Sequence, residues 1–209
     1  MQNAKSVAIV LNAPYLRTKI EEKHVICADG GKKLVDGTFE FTIVGDLDSL
    51  DVNQYEDNVE LITVPVEKNF TDGELALRVA RDKGYTSVNI YGAEGGRLDH
   101  IYANLSLLKI ADDLNLNAKL IINDGYVIYR KIGKVDLNVD LDTTISVLPY
   151  TSSAVVSNSI GLKYPYDNLT LTKSDTIGIS NISIDDKVSF NILDGDCLIF
   201  VISTKNDEK

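Results

Sequence analysis

The feature that most constrains this chain is a change of texture at Asp124-Gly125. Before it, short apolar runs alternate with longer mixed segments. The runs at 6–11, 24–28, 41–44, 59–64, 87–91 and 118–122 predict strands. Several are β-branched nearly throughout, as strands buried on both faces are. Two intervening segments predict helices. One begins at Thr71 with the capping box Thr71-Asp72-Gly73-Glu74, carries Leu75, Ala76, Val79 and Ala80 at helical spacing, and stops at Gly84. The other covers 98–114, with Leu98, Ile101, Leu105 and Leu108 on one face. Strand–helix alternation implies a mostly parallel sheet with helices on both sides.

After Asp124-Gly125 the chain is rich in Val, Ile, Thr and Ser. Polar and apolar residues alternate in 144–148, 169–172, 188–192 and 198–202, and no helical period stands out. Turn signals at Gly133, Gly161, Asp167-Asn168 and Asp194-Gly195 separate these runs. The expected fold class is therefore an α/β N-terminal domain with a mostly parallel, Rossmann-like sheet, residues 1–124. An all-β sandwich or jelly-roll-like domain, residues 125–209, is expected to follow.

Composition removes several function classes. The 209 residues are 44% hydrophobic and 25% charged, ordinary values for a globular protein. A formal net charge of −10 with no basic run argues against sequence-independent nucleic-acid binding, which needs a basic surface. Cys27 and Cys197 sit far apart inside apolar runs, the pattern of buried free thiols in a reducing compartment. The N-terminal apolar stretch is too short to span a membrane and lacks signal-peptide organisation, so a cytoplasmic location is expected.

The polar motifs of the first half follow candidate strands. Ala28-Asp29-Gly30-Gly31 follows the second, Gly45-Asp46-Leu47-Asp48-Ser49 the third, and Lys68-Asn69-Phe70-Thr71-Asp72 lies just beyond the fourth. Gly92-Ala93-Glu94-Gly95-Gly96-Arg97-Leu98-Asp99-His100 follows the fifth. Carboxyl ends of strands in open α/β sheets are where ligands bind. Asp46 and Asp48, one residue apart on a Gly-initiated turn, are hard oxygen ligands of the kind Mg²⁺ takes beside substrate phosphates. Taken alone such a pair is more often an Asx-turn or a helix cap than a metal site. Asp72 suits the first turn of a helix, and that helix N-terminus is also a phosphate cradle. Gly95-Gly96-Arg97 and Lys68 offer close backbone approach and positive charge to phosphate oxygens. Arg97, His100 and Asn104 fall on one polar helix face, and a His so placed reads as a structural residue.

In order, ADGG, GDLDS, K-x-x-T-D before a helix, and G-x-x-G-G-R-x-D-H-x-x-x-N resemble the catalytic domain of the thiamine pyrophosphokinase family. Gly161-Leu162-Lys163-Tyr164 and Ser180-Asn181 resemble that family's thiamine-binding segments. The resemblance implies transfer of the terminal diphosphate of ATP to the hydroxyl of thiamine, with AMP released. It implies Mg²⁺ and phosphate-site carboxylates at Asp46, Asp48 and Asp72, with Lys68 and Arg97 as cationic phosphate contacts. Asp29, Gly30, Gly31, Thr71, Gly95 and Gly96 would lie along the nucleotide. Asp99 and His100 would meet thiamine, Tyr164 would be an aromatic platform for it, and Ser180 and Asn181 would complete that subsite. A homodimer with shared active sites is implied too. Asp72 or Asp46 is the candidate acceptor of the hydroxyl proton.

One departure is Asn69, where the family run K-D-x-T-D carries Asp; Tyr164 stands where some members carry Trp. Two other readings compete. Aspartyl-phosphate phosphatases also place D-x-D after a strand, though after the first one and followed by D-x-[TV], a position held here by Leu50. A sensor that binds nucleotide or thiamine without turnover is the other, favoured only by Asn69.

Overall fold

The computed structural model describes residues 5–36, 39–45, 59–63 and 69–203. Contacts cluster the chain into two compact units, Met1–Asn123 and Asp124–Lys209.

In the first unit, β1 (Ser6–Val10), β2 (His24–Ala28), β3 (Glu40–Gly45), β4 (Glu60–Thr63), β5 (Ser87–Tyr91) and β6 (Asn117–Ile122) run in the order β6-β5-β1-β2-β3-β4, every neighbouring pair parallel. A 3₁₀ helix (Asp29–Leu34) follows β2, α1 (Asp72–Asp82) precedes β5, and α2 (Leu98–Asp113) precedes β6. The β-branched runs are buried on both faces: Val7, Ile9, Ile26, Ile43 and Ile90 are almost wholly inaccessible. Each such side chain contributes about 1.5–3 kcal/mol of burial. Helix α1 packs on β1, β2 and β3 with Leu75, Ala76, Leu77, Val79 and Ala80 inward. Ala8, Val10, Val25, Cys27 and Ile43 instead pack with Ile20, Val35, Leu16 and Leu34, which come from irregular chain and the 3₁₀ helix. Glu22 fastens that irregular segment to the sheet. Its buried carboxylate accepts hydrogen bonds from the Asn89 amide and from the Tyr91 hydroxyl, the latter at 3.0 Å.

The second unit holds β7 (Gly125–Asn138), β8 (Thr144–Ile160), β9 (Leu169–Thr172), β10 (Asn181–Ile182) and β11 (Lys187–Ile202). They pair antiparallel in the order β10-β8-β11-β7, with β9 on β8. Phe190, Ile192, Ile199, Ile145, Val147 and Leu171 fill the core, and Tyr166 meets Phe190 edge-on at 5.5 Å between centroids.

The expected fold class is corrected in both halves. Among the described residues eleven strands, parallel in the first unit and antiparallel in the second, are accompanied by only two α-helices. A Rossmann-like domain needs a helix in nearly every crossover and on both sheet faces. Here the β1–β2 and β2–β3 connections are irregular chain and one 3₁₀ turn, and these cover the second face. In the second unit the short strands expected of a sandwich are replaced by long antiparallel ones. Gly133 and Asp194-Gly195, read as turns, are irregularities inside β7 and β11. The β7–β11 register shifts between Ile192 and Asp196, and Gly133 (φ 143°) and Gly195 (φ 74°) take positive φ inside the ladder. The apolar face expected for α2 also shifts: Leu98 is 81% exposed, and Leu107, Leu108 and Ala111 are buried.

Both cysteines are buried free thiols, and burial pushes each up to about 12. The thiolate is the reactive form. At pH 8 the native chain is therefore expected to resist a thiol-exchange reagent, while the denatured chain releases two equivalents. Rapid labelling before unfolding would show that one thiol is open to solvent.

Candidate functional site

The strand order reverses between β1 and β5, so the chain leaves the carboxyl ends of these neighbours in opposite directions. Such a switch point opens a crevice. A cavity of about 800 Å³ occupies it, lined by Leu11–Pro14 after β1, Ala28 at the end of β2, residues 71–74, residues 92–94 after β5, and the first turns of α2. The Leu11 amide donates to the Tyr91 carbonyl at 2.9 Å, closing the floor between the two strand ends.

Of the residues expected from sequence, Thr71, Asp72, Gly96, Arg97, Asp99 and His100 line this one cavity. Thr71 is the N-cap of α1, and its hydroxyl oxygen accepts from the Glu74 amide at 3.3 Å. The reciprocal half of the capping box is diverted, because the Glu74 carboxylate takes the Arg78 guanidinium at 2.6 Å. Asp72 opens the helix, where the unsatisfied amides and the helix dipole favour anions. Thr71→Ala is expected to cost about 1 kcal/mol and lower Tm by about 2–4 °C. Calorimetry checks this, and an unchanged Tm would mean that the cap is not holding α1.

Arg97 caps α2, and its guanidinium forks onto Asp99 with Nη2 at 2.6 Å and Nε at 3.2 Å from the two carboxylate oxygens. This pairing holds the Asp99 carboxyl below the usual carboxylate range. The pair is exposed, so it orients the two groups and adds little stability. Among the described residues this pairing uses two of the five guanidinium N–H groups. His100 lies in the first turn of the helix beside them. Asn104 also lines the cavity, its side-chain amide donating to the Ala93 carbonyl at 3.1 Å.

Gly30 and Gly31 have a structural reason to be glycine. A Cβ on Gly31 would sit 2.2 Å from the Val10 carbonyl oxygen, and one on Gly30 would sit 3.0 Å from the Asn12 side chain. They seat the 3₁₀ helix against the end of β1; neither lines the cavity itself. Asp29 lies in the same 3₁₀ helix. Gly95 (φ 82°) packs against Tyr15 and Pro14. Asn69 is exposed and outside the cavity lining. Asp46, Asp48 and Lys68 lie outside the described residues. Among the described residues, no group of three or more His, Cys, Asp or Glu is placed to hold a metal.

Tyr164, Ser180 and Asn181 belong to the second unit. The buried Asn181 side chain accepts from the Tyr164 amide at 3.1 Å and donates to the Tyr164 carbonyl at 2.7 Å, and Tyr164 is 60% exposed. Ser180 takes φ 61°, and its amide donates to the Ser146 hydroxyl at 3.0 Å.

Sequence reasoning missed Asn12, Lys33 and Glu94 as lining residues. The Glu94 carboxylate accepts from the Asn123 amide at 2.8 Å. Asn12-Ala13-Pro14 follows the first strand as the other motifs follow theirs, so the same strand-end rule points to it.

Two family models match the chain: the thiamin pyrophosphokinase catalytic domain over residues 16–121 and the thiamin pyrophosphokinase vitamin B1 binding domain over residues 134–195. Thiamine pyrophosphokinase of Bacillus subtilis is 31% identical over 166 residues, 77% of each chain. The crystal structure of thiamine pyrophosphokinase from B. subtilis superposes with a TM-score of 0.83 at 26% identity, covering 96% of this chain and all of that one. The thiamin pyrophosphokinase structure from Geobacillus thermodenitrificans shares the fold, with a TM-score of 0.81 at 23% identity over 96% of this chain and 99% of that one. With matching models across both units and a relative at this identity, the chain belongs to the thiamin pyrophosphokinase family.

Proposed function

We propose that the crevice between β1 and β5 is where this member of the family transfers the terminal diphosphate of ATP to the hydroxyl of thiamine, releasing AMP. One observation carries the placement. Asp72, Arg97, Asp99 and His100 meet the N-terminus of an 11-residue helix in a single cavity of ligand size.

Transfer of this kind depends on positioning and charge neutralisation. The open amides of α1 and the remaining N–H groups of Arg97 face phosphate oxygens, with Lys68 as a further cation. Asp29, Gly30, Gly31, Thr71, Gly95 and Gly96 shape the nucleotide side. Asp72 is a hard carboxylate ligand, and Asp46 directly follows the last residue of β3, so the donor chemistry fits Mg²⁺. Asp46, Asp48 and Asp72 would hold the ion, which would neutralise charge on the transferring group. Asp72 or Asp46 accepts the thiamine hydroxyl proton. Asp99 and His100 contact thiamine, and Tyr164 provides an exposed ring for the cationic acceptor, placed by Asn181 and flanked by Ser180. We assign residues 1–124 to catalysis and 125–209 to thiamine binding, in a cytoplasmic homodimer with shared active sites.

The test is incubation with MgATP and thiamine, followed by measurement of AMP. Thiamine-dependent AMP supports the reading. Binding without AMP points to a sensor, and release of inorganic phosphate from a monoester points to a phosphatase. Light scattering on the same sample reads the oligomeric state.

A further inference from the structure

We propose that Lys33 is a direct cationic contact for the phosphates of the nucleotide. The residue follows the Gly-Gly pair that seats the 3₁₀ helix on β1, so its backbone is fixed at the cavity wall, and it lines that cavity. Its neighbour Lys32 is committed elsewhere: its ammonium donates to the Val35 carbonyl at 3.0 Å and lies 4.1 Å from the centre of the Phe41 ring. Lys33 makes no hydrogen bond or ion pair with another of the described residues.

Charge decides what this cation is for. The described lining carries four carboxylates, Asp72, Glu74, Glu94 and Asp99, against two cations, Lys33 and Arg97. The carboxylates are engaged on the chain: Glu74 pairs with Arg78, Glu94 accepts from the Asn123 amide, Asp99 takes the Arg97 fork, and Asp72 has a contact of its own. Arg97 therefore meets a ligand with part of its charge already neutralised. Lys33 meets it with its charge undivided, on a flexible stem suited to a mobile polyphosphate. A tri- or diphosphate is the ligand whose chemistry uses such a cation beside a helix N-terminus. This assignment rests on reading the cavity as the phosphate site.

The experiment is calorimetric titration of MgATP into the wild-type chain, Lys33→Ala and Lys33→Arg, with a parallel titration of thiamine. Loss of one charge-assisted contact is expected to weaken MgATP binding about tenfold in the alanine variant. Arginine is expected to restore it to within about threefold, and thiamine affinity is expected to stay unchanged. Equal MgATP affinity in wild type and Lys33→Ala overturns the assignment, as does an equal loss for both ligands. Matching Tm values establish that the variants are folded. Thiamine-dependent AMP from the wild-type chain is read separately, so a failed Lys33 assignment is distinguishable from a failed activity.

Discussion

Replacing Asp72 with Asn is expected to slow single-turnover AMP formation by about a hundred- to a thousandfold while leaving the fold intact. The side chain opens α1 and lines the cavity, but the helix is capped by Thr71, so the substitution removes charge without removing the cap. The stability change is expected to stay within about 1 kcal/mol, the range of a single charge near a helix terminus. The rate change is larger because charge developing on a transferring diphosphate must be met by groups already in place. Metal titration separates the two roles. If saturating Mg²⁺ restores the rate, Asp72 serves the ion and the proton acceptor is Asp46. If the deficit persists at saturation and shrinks with acceptors whose hydroxyl is more acidic, Asp72 takes the proton. A wild-type rate in the variant would remove Asp72 from the reaction altogether.

The second large effect is on stability. Gly31→Ala is expected to destabilise the chain by about 3 kcal/mol or more, a fall in Tm of about 10 °C. The added Cβ would lie 2.2 Å from the Val10 carbonyl oxygen, a backbone atom inside the central strand pair that cannot move without breaking its ladder. Gly30→Ala is the internal control. Its nearest neighbour is the Asn12 side chain at 3.0 Å, which can rotate away, so a loss of about 1 kcal/mol is expected. Similar Tm values for the two variants would mean that the 3₁₀ helix yields as a body and that Gly31 is not held by the strand. Because Asn12 lines the cavity, Gly30→Ala should raise the KM for ATP more than its small stability cost suggests.

Particular elements show why some features were legible and others not. Helix α1 was readable because its signals are local: a Thr cap, an acidic first turn, apolar residues at helical spacing and a terminating glycine. Helix α2 existed where expected, yet its first turn faces outward at the rim of the cavity, with Leu98 and Tyr102 exposed. Period alone identifies a stripe, not what is packed against it. The C-terminal strands were found in pieces, since Gly133 and Gly195 break alternation in the same way whether the chain turns or bulges.

The same division runs through the site. Local sequence determined where the strands end and which polar residues follow them, because β-branched runs and Gly-rich turns depend on nearest neighbours. It therefore pointed to Thr71, Asp72, Gly96, Arg97, Asp99 and His100, which line one cavity. Only the tertiary structure decided that β1 and β5 are neighbours and that the strand order reverses between them, which is what opens the crevice. It also decided that Lys32 is spent on Phe41 while Lys33 lines the cavity, and that Arg97 is shared with Asp99. Strand order and the partners of a charge are set by contacts between residues far apart along the chain, so no window of sequence contains them.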